Sequence, residues 1–402
     1  MDNTQNDRIH LLEMVLPFLG MFAPYKISII PAPAIILTLV LVFQRRGVIV
    51  KPEFEEIRPF VYFFFYIVVR DLVHMMFSIS DPVSVQLNRL LELVVMYVLM
   101  FLACDDFDED ILFKWWKIAG CVFGIGMIYH VVLLFLGRSI YPISIIPGYS
   151  IASELSTSFT RPTSFFSEPA AYVTSMMPLL FLSLKKADFK WAVISTFLIV
   201  ISTSTVGVAL TAVLWATFIL LDRRPLRSKI KYLLFVAIFV FMFFNLSIFA
   251  DTLQKVEDVS TGGSTFWSRI SGPFQMVRAM NWYELPFGTA VLDTRTFVFD
   301  RISEFPSTSN VVTTVRNGSS VFLNTVAYLI YRYGVVGLVL FFGIFRNKIF
   351  NENYGARLYA IMLIVAAFAQ GSIAEPNLCL IILLLYSRKS NSKIEDYNVR
   401  TI

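Results

Sequence analysis

The chain has 402 residues, of which 56% are hydrophobic and only 16% are charged, whereas a soluble domain carries about 25% charged residues; this balance excludes a soluble globular protein. The net charge of +5 lies mostly in short loops between apolar runs, where it indicates membrane orientation rather than a nucleic-acid partner. Three cysteines in or beside apolar runs exclude a disulfide framework and a cysteine-rich metal site.

Apolar runs recur along the whole chain and predict about twelve membrane-spanning helices. A bilayer core about 30 Å thick needs about 20 apolar residues per helix. We divide one long run at Ser202–Gly207, because an unbroken helix of that length would overrun the bilayer. We therefore expect an all-α, polytopic membrane helix bundle that forms one integral domain over residues 1–402. The predicted spans lie near residues 9–23, 27–43, 59–79, 87–103, 115–136, 168–184, 190–203, 206–221, 232–249, 320–345, 358–373 and 377–387.

Loop charges predict the orientation of these spans. Lysine and arginine collect in alternate loops, which the positive-inside rule places in the cytoplasm together with both termini. The acidic loop Asp105–Asp110 fits this assignment poorly. Two segments then lie outside, residues 137–167 and residues 250–319. The basic groups that decide the orientation are Arg45, Arg46, Lys51, Lys185, Lys186, Lys190, Arg223–Lys231, Arg346, Lys348, Arg388, Lys389 and Lys393.

The third predicted span contains three polar residues, Arg70, Asp71 and His74. Such residues are costly in lipid and must face protein or water. They form either an internal ion pair, which is a structural role, or part of a path for substrate. The sequence favours the internal ion pair.

The first outer segment ends in Arg161 and, seven residues later, Glu168-Pro169. Proline suits the first turn of a helix, so Glu168 is expected at the positive N-terminal end of the next span. A guanidinium and a carboxylate can line the mouth of a cavity there. The alternative is a capped helix beside an arginine that extends to the membrane interface.

The second outer segment, 250–319, contains too many large apolar residues for a disordered tether, among them Trp267, Phe274 and Trp282. We expect a folded cap with one or two helices on the outer membrane face. Within it, Arg269 and Arg278 are suited to bidentate capture of phosphate oxygens. Their spacing places them on opposite sides of an ideal helix, so either Pro273 bends the segment or only one of them faces a site.

The alternative for these two arginines is an amphipathic helix that faces anionic lipid.

Further along, Asn324 precedes Gly334 and Gly337 at the outer end of a span. These two glycines are expected to be helix-packing glycines.

The ordered set of these motifs resembles the Wzy-type O-antigen polymerase family, within the O-antigen ligase/polymerase group of membrane glycosyltransferases. The resemblance covers residues 150–340, and Leu323 stands where ligases usually carry a histidine, which favours a polymerase. The matching residues are Arg161, Ser164, Glu168, Pro169, Ser202–Thr205, Arg269, Pro286, Gly288, Asn324, Gly334 and Gly337.

The resemblance implies an enzyme that polymerises undecaprenyl-pyrophosphate-linked oligosaccharide repeat units at the periplasmic face of the bacterial inner membrane. It implies Arg161, Glu168 and Arg269 as catalytic residues, without a metal or other cofactor. Further partners are expected to be membrane lipids and a chain-length regulator, and not nucleic acid. The alternatives are an O-antigen ligase and a flippase or other transporter of lipid-linked oligosaccharide. The implied substrate-binding residues are Ser164, Arg278, Arg316 and Asn324.

Overall fold

The computed structural model of the chain is mostly helical. Three of the described helices contain stretches long and apolar enough to cross a membrane, namely Arg58–Met76, Glu109–Phe135 and Thr325–Arg346. A helical membrane protein is therefore confirmed, whereas the count of about twelve spans stays a prediction. The predicted span 377–387 lies outside the described residues, which are 10–27, 30–45, 54–77, 83–103, 108–147, 161–221, 226–245, 267–291, 293–306, 309–350 and, between 360 and 368, all but 362 and 365.

The chain divides into two compact units. The first consists of Met1–Pro52, Val95–Arg224 and Glu375–Ile402, and the second of Glu53–Val94 and Pro225–Ala374.

The first unit is built around one buried helix, α6 (Pro169–Lys185). Nearly every residue of α6 is buried, and it packs against α5 (Glu109–Phe135), α7 (Phe189–Val200) and α8 (Thr205–Leu221). A helix that is apolar on all sides is typical of such a central position. The described residues also contain a short antiparallel hairpin with two residues in each strand. In chain order the elements are α1 (Leu11–Val15), a 3-10 helix (Leu16–Phe22), β1 (Lys26–Ile27), β2 (Ile30–Pro31), α2 (Ala32–Arg45), α4 (Val83–Ala103, which contributes to both units), α5 (Glu109–Phe135), α6 (Pro169–Lys185), α7 (Phe189–Val200) and α8 (Thr205–Leu221).

The predicted division of the long apolar run is confirmed. Helix α7 ends at Val200 and α8 begins at Thr205. Between them Thr203 has a φ of +54°, a conformation that cannot continue a right-handed helix.

Two residues of the acidic stretch that fits the charge rule poorly, Glu109 and Asp110, are paired with basic groups of the first unit. Lys185 Nζ lies 2.6 Å from Glu109 Oε2, and Lys186 pairs with Asp110. Lys117 Nζ lies 2.7 Å from Asp188 Oδ2. The start of α5 and the turn after α6 therefore lie at the same end of this unit, and Lys185 and Lys186 neutralise Glu109 and Asp110.

The second unit combines long helices with a group of short ones. Helix α13 (Thr325–Phe350) packs along α3 (Phe54–Phe77). The short helices close around an apolar core that includes Met276, Phe297 and Val311. The described part of the segment expected to be a cap, from residue 267 onwards, therefore contains three short α-helices rather than one or two. The elements are α3 (Phe54–Phe77), α9 (Leu226–Asn245), a π-helical turn (Trp267–Ser271), α10 (Gly272–Arg278), α11 (Thr294–Asp300), a 3-10 helix (Ile302–Glu304), α12 (Asn310–Arg316) and α13 (Thr325–Phe350).

Candidate functional site

The turn Arg161–Glu168, here called the Ser164 turn, is held against α5 by buried polar contacts. Ser164 has a φ of +56°, and its hydroxyl donates to the carbonyl oxygen of Phe123 at 2.9 Å. The backbone N–H groups of Thr163 and Ser164 both donate to Nδ1 of His130, at 3.2 Å each. Non-glycine residues at positive φ persist where the surroundings hold them, so these bonds fix the shape of the turn.

Small and aromatic residues allow the Ser164 turn to approach α5 closely. A Cβ atom at Gly126 would overlap the hydroxyl of Ser164 and touch the ring of Phe165. Phe166 packs edge-on against Phe123 and Tyr172, with ring centroids 5.1 and 5.7 Å apart. The turn is therefore a rigid element on the α5 surface.

The Ser164 turn carries two of the predicted catalytic residues at its ends. Arg161 opens the turn and is partly buried. Glu168 is the N-cap of α6, and Pro169 occupies its first turn, as the sequence predicts. Ser164 is fully buried, and its hydroxyl donates to the carbonyl oxygen of Phe123. The side chain therefore supports the turn.

In the second unit the structure brings Arg269 and Asn324 together, although they lie 55 positions apart. The Nδ2 atom of Asn324 donates to the carbonyl oxygen of Arg269 at 2.7 Å. Its Oδ1 atom accepts from the N–H of Ala327 at 2.9 Å, so Asn324 also caps α13. The guanidinium of Arg269 lies 5.2 Å from the ring centroid of Phe322. Asn324 thus positions the segment that carries Arg269.

Arg278 and Arg316 occupy a different setting, because both are exposed residues in the last turn of a short helix. A positive charge at this end of a helix is stabilised by the helix dipole. The π-helical turn before α10 changes the register between Arg269 and Arg278. Pro273 lies at the start of α10, directly after this turn.

Two distant motifs meet at a break in α13. Gly334 has φ +70° and ψ −175°, and beyond it the N–H groups of Val335 and Val336 donate to the carbonyls of Leu285 and Pro286, at 2.8 and 3.2 Å. A Cβ atom at Gly334 would overlap the backbone of Pro286. The expectation that Gly334 is a helix-packing glycine is wrong, because it ends one helical segment and receives a loop.

The loop that docks at this break, residues 281–289, is called here the Pro286 loop. Gly288 has a φ of +88°, and a Cβ atom there would overlap the backbone of Arg332. Thr289 N–H donates to the carbonyl of Tyr331 at 2.8 Å. Gly337 packs against the ring of Tyr66, 3.3 Å from where its Cβ would lie. The Pro286–Gly288 and Gly334–Gly337 motifs therefore form one junction.

The polar residues of the third predicted span hold this junction from α3. Arg70 Nε donates to the carbonyl of Phe287 at 2.6 Å, and its Nη2 donates to that of Gly288 at 3.1 Å. Asp71 Oδ1 pairs with Arg332 at 3.0 Å, and Tyr333 OH donates to Asp71 Oδ2 at 3.1 Å. The internal ion pair is thus observed for Asp71, whereas Arg70 binds a loop.

Sequence reasoning missed Arg332, although a signal for it exists. An arginine inside an apolar run needs an acidic partner on another span, and Asp71 is such a partner. His74 is buried one helical turn beyond Arg70. Its polar neighbours are Arg70, Arg332 and the Thr289 backbone.

Glu284 braces the other side of the Pro286 loop. Its two carboxylate oxygens accept from Arg301 at 2.6 and 2.7 Å, from Thr289 Oγ1 at 2.9 Å and from the N–H of Asn281 at 2.7 Å. Burial would raise the pKa of Glu284, but the hydrogen bonds from Arg301, Asn281 and Thr289 outweigh it, so the pKa is lowered. The same contact raises the pKa of Arg301.

We expect this brace to weaken in acid. The pKa of Glu284 is lower in the folded protein than in the unfolded chain, so its stabilisation is complete above about pH 4.3 and is lost as the pH falls through the folded value. Thermal unfolding of the detergent-solubilised protein between pH 7 and pH 3 should show Glu284→Gln less stable than wild type at neutral pH, with the difference shrinking below about pH 4.3. The exposed Glu304→Gln is the matched control; a difference that is constant with pH would contradict the brace.

Comparison with known proteins places these residues in a family context. A family model described as WcaD colanic acid polymerase matches residues 119–389. The match covers more than half of the chain and includes both the Ser164 turn and the Pro286 loop. No curated protein and no solved structure matches the chain.

Proposed function

The chain belongs to the WcaD colanic acid polymerase family, a Wzy-type polymerase family, and from this membership we propose that it polymerises undecaprenyl-pyrophosphate-linked oligosaccharide repeat units at the periplasmic face of the inner membrane. The growing chain on its lipid pyrophosphate is the donor, and the sugar end of a fresh repeat unit is the acceptor. The main observation that supports this proposal is that the family match includes every motif residue from Arg161 to Gly337.

The proposed reaction is a displacement at the anomeric carbon of the donor. A sugar hydroxyl of the acceptor forms the new glycosidic bond, and the bond from the anomeric carbon to the pyrophosphate oxygen breaks. The pyrophosphate leaves with the electron pair, so the transition state develops negative charge that fixed donors can stabilise. We assign this role to Arg161 and Arg269.

Glu168 is proposed to orient the attacking hydroxyl or accept its proton. Glu168 occupies the N-cap position of α6. Asn324 is proposed to position Arg269, and Ser164 to position the turn that carries Arg161 and Glu168. Arg278 and Arg316 are exposed and are proposed to contact the outer part of the substrate.

A deletion strain distinguishes this function from its alternatives. Loss of a polymerase should leave polysaccharide of a single repeat unit, whereas loss of a ligase should leave the acceptor without any repeat. Loss of a flippase should leave the lipid-linked unit on the cytoplasmic face. Recovery of long polymer by the plasmid-borne gene is the expected control, and either of the other two profiles would refute the polymerase assignment.

The proposed orientation is tested by cysteine labelling in a variant whose three native cysteines are replaced. Ser139 and Ser319 are exposed and lie in the two segments assigned to the periplasm, whereas Ser228 lies in the basic segment assigned to the cytoplasm. Cysteines at Ser139 and Ser319 should react with a membrane-impermeant maleimide in intact spheroplasts, and one at Ser228 should react after lysis alone. The reverse pattern would overturn the orientation.

A further inference from the structure

The Pro286 loop contacts its neighbouring helices well inside their apolar stretches. Arg70 lies six residues before the end of the stretch Arg58–Met76, and Gly334 lies nine residues into Thr325–Arg346. At a rise of 1.5 Å per residue these positions are about 9 and about 14 Å from the helix ends. Half of the hydrocarbon core is about 15 Å thick, so the contacted part of the loop lies at membrane depth.

The backbone of the loop meets the requirement that lipid imposes on irregular structure, namely that its polar groups are satisfied internally. The carbonyls of residues 285 and 286 accept from the N–H groups after the break in α13. Those of residues 287 and 288 accept from Arg70. The N–H of Leu285 donates to the carbonyl of Asn281, and those of residues 287 and 288 donate to the carbonyl of Glu284. From 285 to 288 every backbone donor and acceptor has a partner.

The side chains of the loop are nevertheless exposed and aromatic. Trp282 is 82% exposed, Tyr283 61% and Phe287 55%. Tryptophan and tyrosine favour the headgroup level of a membrane, whereas phenylalanine favours hydrocarbon. The order along the loop agrees with this preference, because Phe287 adjoins the Arg70 contact. Exposed apolar residues on the neighbouring helices include Val69, next to Arg70, and Val335, whose N–H donates to the loop.

We propose that the Pro286 loop is a re-entrant loop inserted in the lipid bilayer, with Trp282 and Tyr283 among the headgroups and Phe287 in the hydrocarbon. Arg70 holds the inserted part by its two bonds to loop carbonyls. The proposal depends on α3 and α13 crossing the membrane, and not on the orientation or on the reaction. It also has a consequence for function: α13 is capped by Asn324, which binds the Arg269 segment, so the inserted loop sets the height of Arg269 relative to the membrane.

The test is a nitroxide spin label at Phe287→Cys in the full-length protein, with the native cysteines replaced, reconstituted in phospholipid nanodiscs. Collisions with oxygen report exposure to lipid, and collisions with the water-soluble complex nickel ethylenediamine diacetate report exposure to water. Ser319→Cys is the control, because Ser319 is exposed and precedes the apolar stretch of α13, which begins at Thr325. Phe65→Cys, in the middle of the α3 stretch, is the reference for lipid.

We expect the label at Phe287 to behave like the label at Phe65, accessible to oxygen and several-fold less accessible to nickel than the label at Ser319. Equal nickel accessibility at Phe287 and Ser319 would overturn the proposal. Nickel accessibility that falls only when soluble oligosaccharide is added would assign the aromatic residues to sugar binding and would overturn it as well.

A second variant tests the role of Arg70. Arg70→Gln in the Phe287→Cys background should raise the nickel accessibility of the label several-fold, because the loop loses both bonds to α3. Arg58→Gln changes an exposed arginine of the same helix and should leave it unchanged. Unchanged accessibility in Arg70→Gln would refute the part of the proposal in which Arg70 holds the loop.

Discussion

Arg161→Lys and Arg269→Lys should each reduce the polymerisation rate on the order of 100- to 1000-fold, the loss that follows when one transition-state hydrogen-bond donor is removed. Lysine keeps the positive charge but lacks the planar pair of donors that matches phosphate oxygens. Long polysaccharide should therefore collapse to single repeats in cells that produce either variant. The measurement is the length distribution of the polysaccharide at matched amounts of membrane protein.

Two conservative changes serve as controls for these variants. Arg138→Lys alters an exposed arginine shortly after α5, and Arg295→Lys alters an exposed arginine in α11. Neither has a role in the proposed chemistry, so both should give polymer of normal length. If Arg161→Lys and Arg269→Lys also give normal polymer, the two arginines are anchors to lipid or to protein, and their catalytic assignment is wrong.

Asp71→Asn should be the most destabilising conservative change in the second unit. Asp71 and Arg332 are 2% and 3% exposed, and the change leaves the guanidinium buried without its carboxylate. Removal of one partner from a buried ion pair typically costs about 3–5 kcal/mol. Thermal unfolding in detergent should show a large fall in the midpoint, while Asp300→Asn, at an exposed position on α11, should change it little.

The double variant Asp71→Leu/Arg332→Met separates the charge from the packing at this site. Replacement of a buried pair by apolar side chains of similar volume is often nearly neutral, so the double variant should be more stable than Asp71→Asn. It should also retain the Arg70 bonds to the Pro286 loop, because those go to carbonyl oxygens. A double variant less stable than Asp71→Asn would mean that the pair itself stabilises the junction.

The sequence by itself determined the class of protein, much of the helix pattern and the order of the family motifs. The start of α6 at Pro169 and the break between α7 and α8 follow from local causes, since proline fixes φ and one continuous helix would exceed the bilayer. The Wzy-type resemblance could also be recognised without knowledge of tertiary contacts, because it rests on residue types in a fixed order. These features depend on neighbours along the chain, which a sequence displays directly.

Only the tertiary structure decided which distant residues meet. Asp71 and Arg332 are 261 positions apart, and nothing near either residue specifies the other. Gly334 has the spacing of a helix-packing glycine, yet its positive φ and the overlap of a Cβ atom with Pro286 show a broken helix that receives a loop. Which of these roles a glycine has depends on the segment that packs against it. Because burial makes every backbone polar group require a partner, it was the pairing of the Pro286 loop with α3 and α13 that settled the conformation of Gly334.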